Sequence, residues 1–341
     1  MSWISYLLVL FGISWSGVGM YRWHAISKGF LDHPSARSSH FVATPRGGGI
    51  VFALSWNILL GVLHYYGSFD LRTIYYFLPS LLVAFVGYWD DRKGLSPATR
   101  LSVQAIAAIS SLFILAEGGD LIHAFLPQVP LPLCFGILVG AILWMINLYN
   151  FMDGSDGLAA MEGMFVFLVG GAMLYQVEAY ELAVLAFGLV ALLGGFLAWN
   201  WPNARIFMGD SGSYFLGFVI ALFALLSYKQ FQISLLLWFI ITALFWFDAT
   251  ITLLRRILAK ENFLKAHRSH AYQRLIQKGW SHQQVLFAAI GVNIVLSILT
   301  VIAFNDPRLI YFALGVAITF LFCLYILVEI AWPMSRTWYE A

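Results

Sequence analysis

Four groups of polar side chains interrupt an otherwise oily chain, and each combines residue types that can act on phosphate or bind a cation. Asp90 and Asp91 are adjacent at the end of an apolar run, followed by Arg92, Lys93 and the stretch Leu95-Ser96-Pro97-Ala98-Thr99-Arg100. Adjacent carboxylates near a low dielectric repel unless a cation sits between them or one holds a proton. The plainer alternative is a solvated helix end neutralised by Arg92 and Lys93. Further on, Asn147, Asn150, Asp153 and Asp156 recur every third residue, so they share one helical face until Gly154 and Gly157 break it. Two amides and two carboxylates then converge, without the spacing or terminal Glu of an EF-hand. Asp210, in Gly209-Asp210-Ser211-Gly212-Ser213, suits a helix N-cap or a hard oxygen ligand for Mg²⁺. His267-Arg268-Ser269-His270 lies in a basic stretch with Arg255, Arg256, Lys260, Lys265 and Arg274, the side chains that grip phosphates. Anionic lipids would attract the same charge.

Two other features belong with these. Gly47-Gly48-Gly49 follows Arg46 where a helix begins, and glycine N–H groups there could approach an anion or simply let two helices pack. Asp248 lies inside an apolar run, which marks either function or pairing with a neighbouring helix.

Elements that could hold such groups follow from composition. The chain has 341 residues, a hydrophobic fraction of 61% and mean hydropathy +0.82, whereas soluble chains are about 45–50% apolar. A water-soluble fold is excluded. Segments long enough to span a bilayer lie at about 3–22, 48–66, 73–89, 101–118, 131–149, 158–177, 182–200, 212–228, 233–254, 284–304 and 308–331. The predicted fold is an all-α polytopic membrane protein of about eleven transmembrane helices, one integral domain over residues 1–341. Of the 19 Lys and Arg, only Arg72, Lys229 and Arg308 then fall in outer loops, while Arg37, Lys265 and Arg336 join the rest inside. The positive-inside rule reads this as N-terminus outside and C-terminus cytoplasmic. The cytoplasmic loops, about 23–47, 90–100, 150–157, 201–211 and 255–283, hold the polar groups; outer connections such as 117–130 are plain. The first apolar stretch lacks a basic n-region and a small-residue cleavage site, so it is expected to stay as a span. Cys134 and Cys323 sit in apolar runs and imply no disulfide or zinc framework.

In this order the motifs resemble the polyprenyl-phosphate N-acetylhexosamine-1-phosphate transferase family over roughly residues 30–280. The matching stretches are Asp90-Asp91, Leu95 to Arg100, Asn150 to Leu158, Gly209 to Ser213, and the loop with His267 and His270. The resemblance implies attack by undecaprenyl phosphate on the sugar-linked phosphate of a UDP-N-acetylhexosamine, with release of UMP, at the cytoplasmic face of the bacterial inner membrane. It implies Mg²⁺, with Mn²⁺ as a substitute, held by Asn150 and Asp210. It further implies Asp90 or Asp91 acting on the lipid phosphate, and Asp153 and Asp156 around nucleotide and metal. Arg100, Asn147, His267, Arg268, His270 and Gly48 would bind substrate. Related enzymes often dimerise, and no nucleic-acid partner is expected. The peptidoglycan translocase carries consecutive histidines where this chain reads His267-Arg268-Ser269-His270. That favours O-antigen-initiating relatives over one acting on UDP-muramyl-pentapeptide.

A transporter is the rival from another class. It predicts acids near mid-span and on both faces, whereas here only Asp248 approaches mid-span. A lipid-binding scaffold would not need Asp90-Asp91 beside the Asn/Asp/Gly signature.

Overall fold

The computed structural model describes residues 3–34, 42–116, 129–261 and 267–334. A helix satisfies all its backbone hydrogen bonds within one segment, as lipid demands, and helices dominate. In chain order they are α1 (Trp3–Ser27), α2 (Gly49–Tyr65), α3 (Leu71–Phe77), α4 (Pro79–Lys93), α5 (Pro97–Ala116), α6 (Leu131–Met152) and α7 (Leu158–Gln176). There follow α8 (Tyr180–Asn200), α9 (Asp210–Phe231), α10 (Leu235–Ile241), α11 (Ala243–Leu258), α12 (Ala271–Gln277), α13 (His282–Asn305) and α14 (Ile310–Ala331). Between α1 and α2 a two-residue ribbon pairs β1 (Leu31–Asp32) with β2 (Thr44–Pro45), antiparallel, Leu31 opposite Pro45 and Asp32 opposite Thr44.

The protein is an all-α polytopic membrane protein. Among the described residues nine helical segments are long and apolar enough to cross a bilayer, with α3 and α4 counted as one span. Pro79, which has no N–H to donate, stands at their junction. A tenth is the pair α10 and α11, bent by 79° where Thr242 separates them. Each of the eleven segments expected from hydropathy coincides with a helix or a bent pair; α2, at 17 residues, is the one short of spanning length. Arg37, Lys265 and Arg336, counted above toward the inner face, lie outside the described residues, as does most of the 117–130 connection.

Helix α9 is the axis of the bundle. Every residue from Asp210 to Phe223 is buried, against α4, α6 and α2. Aromatic rings fill that interior: Trp56 meets Phe77 at 5.3 Å and Phe215 at 5.7 Å between centroids. At its N-terminal end the helices approach too closely for side chains. A Cβ on Gly49 would strike Gly212, and one on Gly87 would strike the Asp210 carbonyl. Small residues that let backbones touch are how helices associate in lipid. Here they deliver the first turn of α9 to the carboxylates of α4.

Candidate active site

The N-terminus of α9 is capped from another helix. Gly209 holds φ +75 as its N-cap residue and offers no side chain. Asp91, at the end of α4, accepts hydrogen bonds from the Asp210 N–H at 2.9 Å and the Ser211 N–H at 3.2 Å. A Cβ on Gly209 would stand 2.5 Å from Asp91 Oδ2, so only glycine leaves room. Asp210, expected as an N-cap or a metal ligand, is thus the first helical residue, with its carboxylate free to face elsewhere. Arg46 bridges the two acids: Nε lies 2.7 Å from Asp91 Oδ1 and Nη2 2.7 Å from Asp210 Oδ1. Burial disfavours the guanidinium charge, but the Asp210 and Asp91 carboxylates outweigh it and hold Arg46 more firmly protonated than usual.

The backbone behind Arg46 is zipped to the segment before α9. Phe207 N–H donates to Pro45 O, Gly48 N–H to Phe207 O and Gly49 N–H to Met208 O, at 2.8–3.0 Å. This corrects the anion-binding expectation for Gly48, whose N–H is already spent on Phe207. The glycines serve close packing instead.

Asp90 is locked. It accepts from Leu95 N–H at 2.7 Å, Arg100 Nη1 at 2.9 Å and the Tyr214 hydroxyl at 3.1 Å. The pair is therefore neutralised by Arg46 and Arg100, not by its sequence neighbours. Arg92 stacks over Phe30 at 3.9 Å and Tyr88 at 4.2 Å, and Lys93 lies over Trp89 at 5.1 Å.

The Asn/Asp/Gly signature divides. Asn147 turns to α5, donating to Gln104 Oε1 at 3.1 Å and, within its own helix, to Leu143 O at 2.8 Å; the structure does not bring it to the others. Asn150 Nδ2 donates to Asp210 Oδ1 at 2.9 Å and Ser213 Oγ at 3.0 Å, joining α6 to α9. Asp156 accepts from Ala204 N–H at 2.9 Å and sits 3.9 Å from His282 Nδ1. Gly157, at φ +74, donates to Asn200 Oδ1. Asp153 projects from the break itself and receives no hydrogen bond from any described residue. Burial, opposed by Arg46 but reinforced by Asp210, Asp91 and Asp156, pushes its carboxyl well above the ordinary range.

These groups line a cavity of about 320 Å³ whose walls include Asp32, Arg46, Asn150, Asp153, Asp156, Asp210 and Arg268. A smaller recess of about 190 Å³, sharing Asp32 and Arg46, reaches Asp91. Asp90, Arg100, Asn147, His267 and His270 line neither. The histidines are bound up in a second arrangement. Asp248 accepts from Ala271 N–H, the first of α12, through both oxygens at 2.9 Å, and from Thr252 Oγ1 at 3.0 Å. His270 Nδ1 stands 3.6 Å away, and its ring lies 4.9 Å from His267. His267 is pushed down to about 3 by burial, with His270 and Arg256 adding repulsion. Asp248, open between function and pairing from the sequence, is engaged as a helix cap. Tyr272 closes the gap between the arrangements: its hydroxyl donates to Phe151 O at 3.1 Å and abuts Gly154, where a Cβ could not fit.

Arg46 and Asp32, and Gln273, which also lines the cavity, were missed as site residues. Arg46 alone carried a signal, a cation beside three glycines in a basic loop; Asp32 and Gln273 carried none.

Among the described residues no three His, Cys, Asp or Glu side chains close on one point. That does not fit a protein-caged ion, but it fits Mg²⁺, which takes one or two carboxylates and fills its shell with water and phosphate oxygens. The donors are of the hard oxygen kind: the Asp153 carboxylate and the Asn150 side-chain oxygen have no hydrogen-bond partner among the described residues, and Asp210 lines the same cavity beside Asn150.

Fold and site together define a membrane-embedded enzyme with a polar cavity at the N-terminal end of its central helix. The sequence profile of glycosyl transferase family 4 matches residues 73–228. A probable undecaprenyl-phosphate N-acetylglucosaminyl 1-phosphate transferase of Bacillus subtilis is 30% identical over 287 residues, 82% of this chain and 78% of the relative. A decaprenyl-phosphate N-acetylglucosaminephosphotransferase of Mycolicibacterium smegmatis is 28% identical, covering 90% of this chain and 83% of its own. A phospho-N-acetylmuramoyl-pentapeptide-transferase of Streptococcus pneumoniae is 25% identical over 87% and 95%. The chain belongs to glycosyl transferase family 4, the polyprenyl-phosphate N-acetylhexosamine-1-phosphate transferases, and is an enzyme of sugar-1-phosphate transfer.

Proposed function

We propose that the protein transfers N-acetylhexosamine-1-phosphate from a UDP-sugar to undecaprenyl phosphate, releasing UMP and starting O-antigen or a related envelope glycan, at the cytoplasmic face of the bacterial inner membrane. The observation that carries this is the cavity where Arg46, Asn150, Asp153 and Asp210 meet, in a chain 30% identical to an N-acetylglucosaminyl 1-phosphate transferase. A lipid phosphate oxygen attacks the phosphorus bonded to the sugar, the bond to the UMP oxygen breaks, and UMP leaves with the electron pair. Mg²⁺ at Asn150 and Asp210 would offset charge growing on that leaving group. Arg46 and Arg268 line the same cavity as donors to phosphate oxygens, and Asp156 holds the loop that carries Asp153. Of the aspartate pair, only Asp91 lines a recess, which supports giving it rather than Asp90 the lipid phosphate; Asp90 anchors Arg100 and Tyr214.

The test is UMP release by detergent-purified protein with Mg²⁺, undecaprenyl phosphate and a panel of UDP-N-acetylhexosamines, against EDTA and lipid-free controls. Release that requires both metal and lipid supports the reading, and the best donor names the sugar. Turnover of UDP-muramyl-pentapeptide alone would move the protein to the peptidoglycan branch, and no turnover by folded protein would refute the assignment.

A further inference from the structure

We propose that Arg46 is a resident counter-ion: with no substrate bound its guanidinium fills the place between Asp91 and Asp210, and it gives up Asp210 to a divalent cation and turns to the donor's phosphate. This rests on the metal assignment above and adds a role for a residue the resemblance did not include.

Three observations carry it. The guanidinium is engaged edge-on by two carboxylates of different helices, Nε on Asp91 and Nη2 on Asp210, each at 2.7 Å. Asp210 Oδ1 is thereby occupied twice, since Asn150 Nδ2 also donates to it at 2.9 Å. Any cation that takes Asp210 Oδ1 must displace Arg46 Nη2 from it. The displacement needs no backbone movement. Residues 45–49 stay zipped to 207–208 through three backbone hydrogen bonds, while the Arg46 side chain, 36% exposed, is on the cavity wall. A swing about the side-chain torsions, with Nε still on Asp91, carries the Nη atoms into a cavity that must hold a pyrophosphate. Arg presents a planar fork suited to phosphate oxygens. The cluster thus keeps a cation beside Asp210 at each stage, so its buried acids are never left unpaired, a state that costs several kcal/mol.

An occupied site lowers apparent affinity by the fraction of time it is open. If Arg46 covers Asp210 about nine-tenths of the time, removing it tightens cation binding about tenfold. The experiment measures Mn²⁺ binding by electron paramagnetic resonance, and UDP binding at saturating Mn²⁺ by calorimetry, on detergent-purified wild type, Arg46→Gln and Arg46→Lys without lipid acceptor. The expected result is opposite in sign: in Arg46→Gln, Mn²⁺ binds about tenfold tighter or more and UDP at least about tenfold weaker. Arg46→Lys, which keeps the charge but not the fork, falls between for both. Losses of both affinities together would mean that Arg46 is only structural, and unchanged Mn²⁺ affinity would overturn the proposal with the metal site intact. If no variant binds Mn²⁺ at all, the metal reading fails and the proposal with it. Mn²⁺ binding only in Arg46→Gln supports both.

Discussion

Two buried aspartates, Asp91 and Asp248, cap helix N-termini from other helices, and the difference between them separates site from scaffold. Asp248 accepts from the Ala271 N–H through both oxygens and from Thr252 Oγ1, with His270 Nδ1 3.6 Å away. It borders an apolar cavity of about 560 Å³ between α11, α12, α13 and α14, and the polar cavity does not reach it. Asp91 caps α9 in the same way, but its partner helix begins with a second carboxylate, and an arginine on the cavity wall ties the two together. Capping alone is therefore architecture. A cap becomes chemistry when the capped helix brings an acid of its own to an open volume.

Breaking the open side of this comparison should have the largest effect. Asp210→Ala is expected to lower Mg²⁺-dependent UMP release by about a thousandfold or more, with unchanged elution in detergent; an active variant would remove Asp210 from the metal. Asp248→Ala attacks the other side. It leaves the Ala271 N–H and the Thr252 hydroxyl without their acceptor, which costs about 3 kcal/mol. The loss should appear as a lowered Tm, with residual turnover at low temperature; a selective loss of turnover at unchanged Tm would make Asp248 functional after all.

Gly87→Ala sharpens the boundary between the two. The added Cβ meets the Asp210 carbonyl, so stability should fall by about 1–3 kcal/mol and turnover further than stability alone explains. Equal turnover in folded protein would show that α9 can shift without harm.

The smallest expected effect is a pH dependence. His267 sits near 3 in the folded protein against about 6.5 in an unfolded chain. Between these values the unfolded chain takes up the proton and the folded one does not. The neutral histidine's contribution is thus present above about pH 6.5 and lost as pH falls toward 3. By pH 5 the loss is about 1–2 kcal/mol. Thermal unfolding at pH 7.5 and pH 5 should show it in wild type and not in His267→Asn.

Much of this was legible beforehand. Apolar length located the helices because a bilayer-spanning segment is defined by its own residues. Asp91, Asn150, Asp153 and Asp210 were singled out because acids and amides at helix ends in a greasy chain need a reason. What periodicity could not supply was partnership between helices. Asn147 and Asn150 share a face of α6, yet one turns to Gln104 and the other to Asp210. Arg92 and Lys93 were the obvious partners of the aspartate pair, but aromatic rings beside them offered a cheaper contact for their charge, and Arg46 and Arg100 came in from elsewhere. Long-range pairings of this kind, |i−j| of 119 for Asp91 with the Asp210 N–H, have no local signature. The glycine run left two readings open for a related reason: a backbone N–H that could meet an anion can equally meet a carbonyl of a distant segment, as it does here.

That same long separation bears on how the protein is made. During synthesis Asp91 leaves the ribosome well before Asp210, and elongation proceeds at about 5–20 residues per second. For several seconds α4 must wait in the membrane with a carboxylate whose helix partner does not yet exist. The polar heart of the enzyme consequently cannot assemble until α9 has been made, and a nascent chain halted before α9 would hold inserted helices but no site.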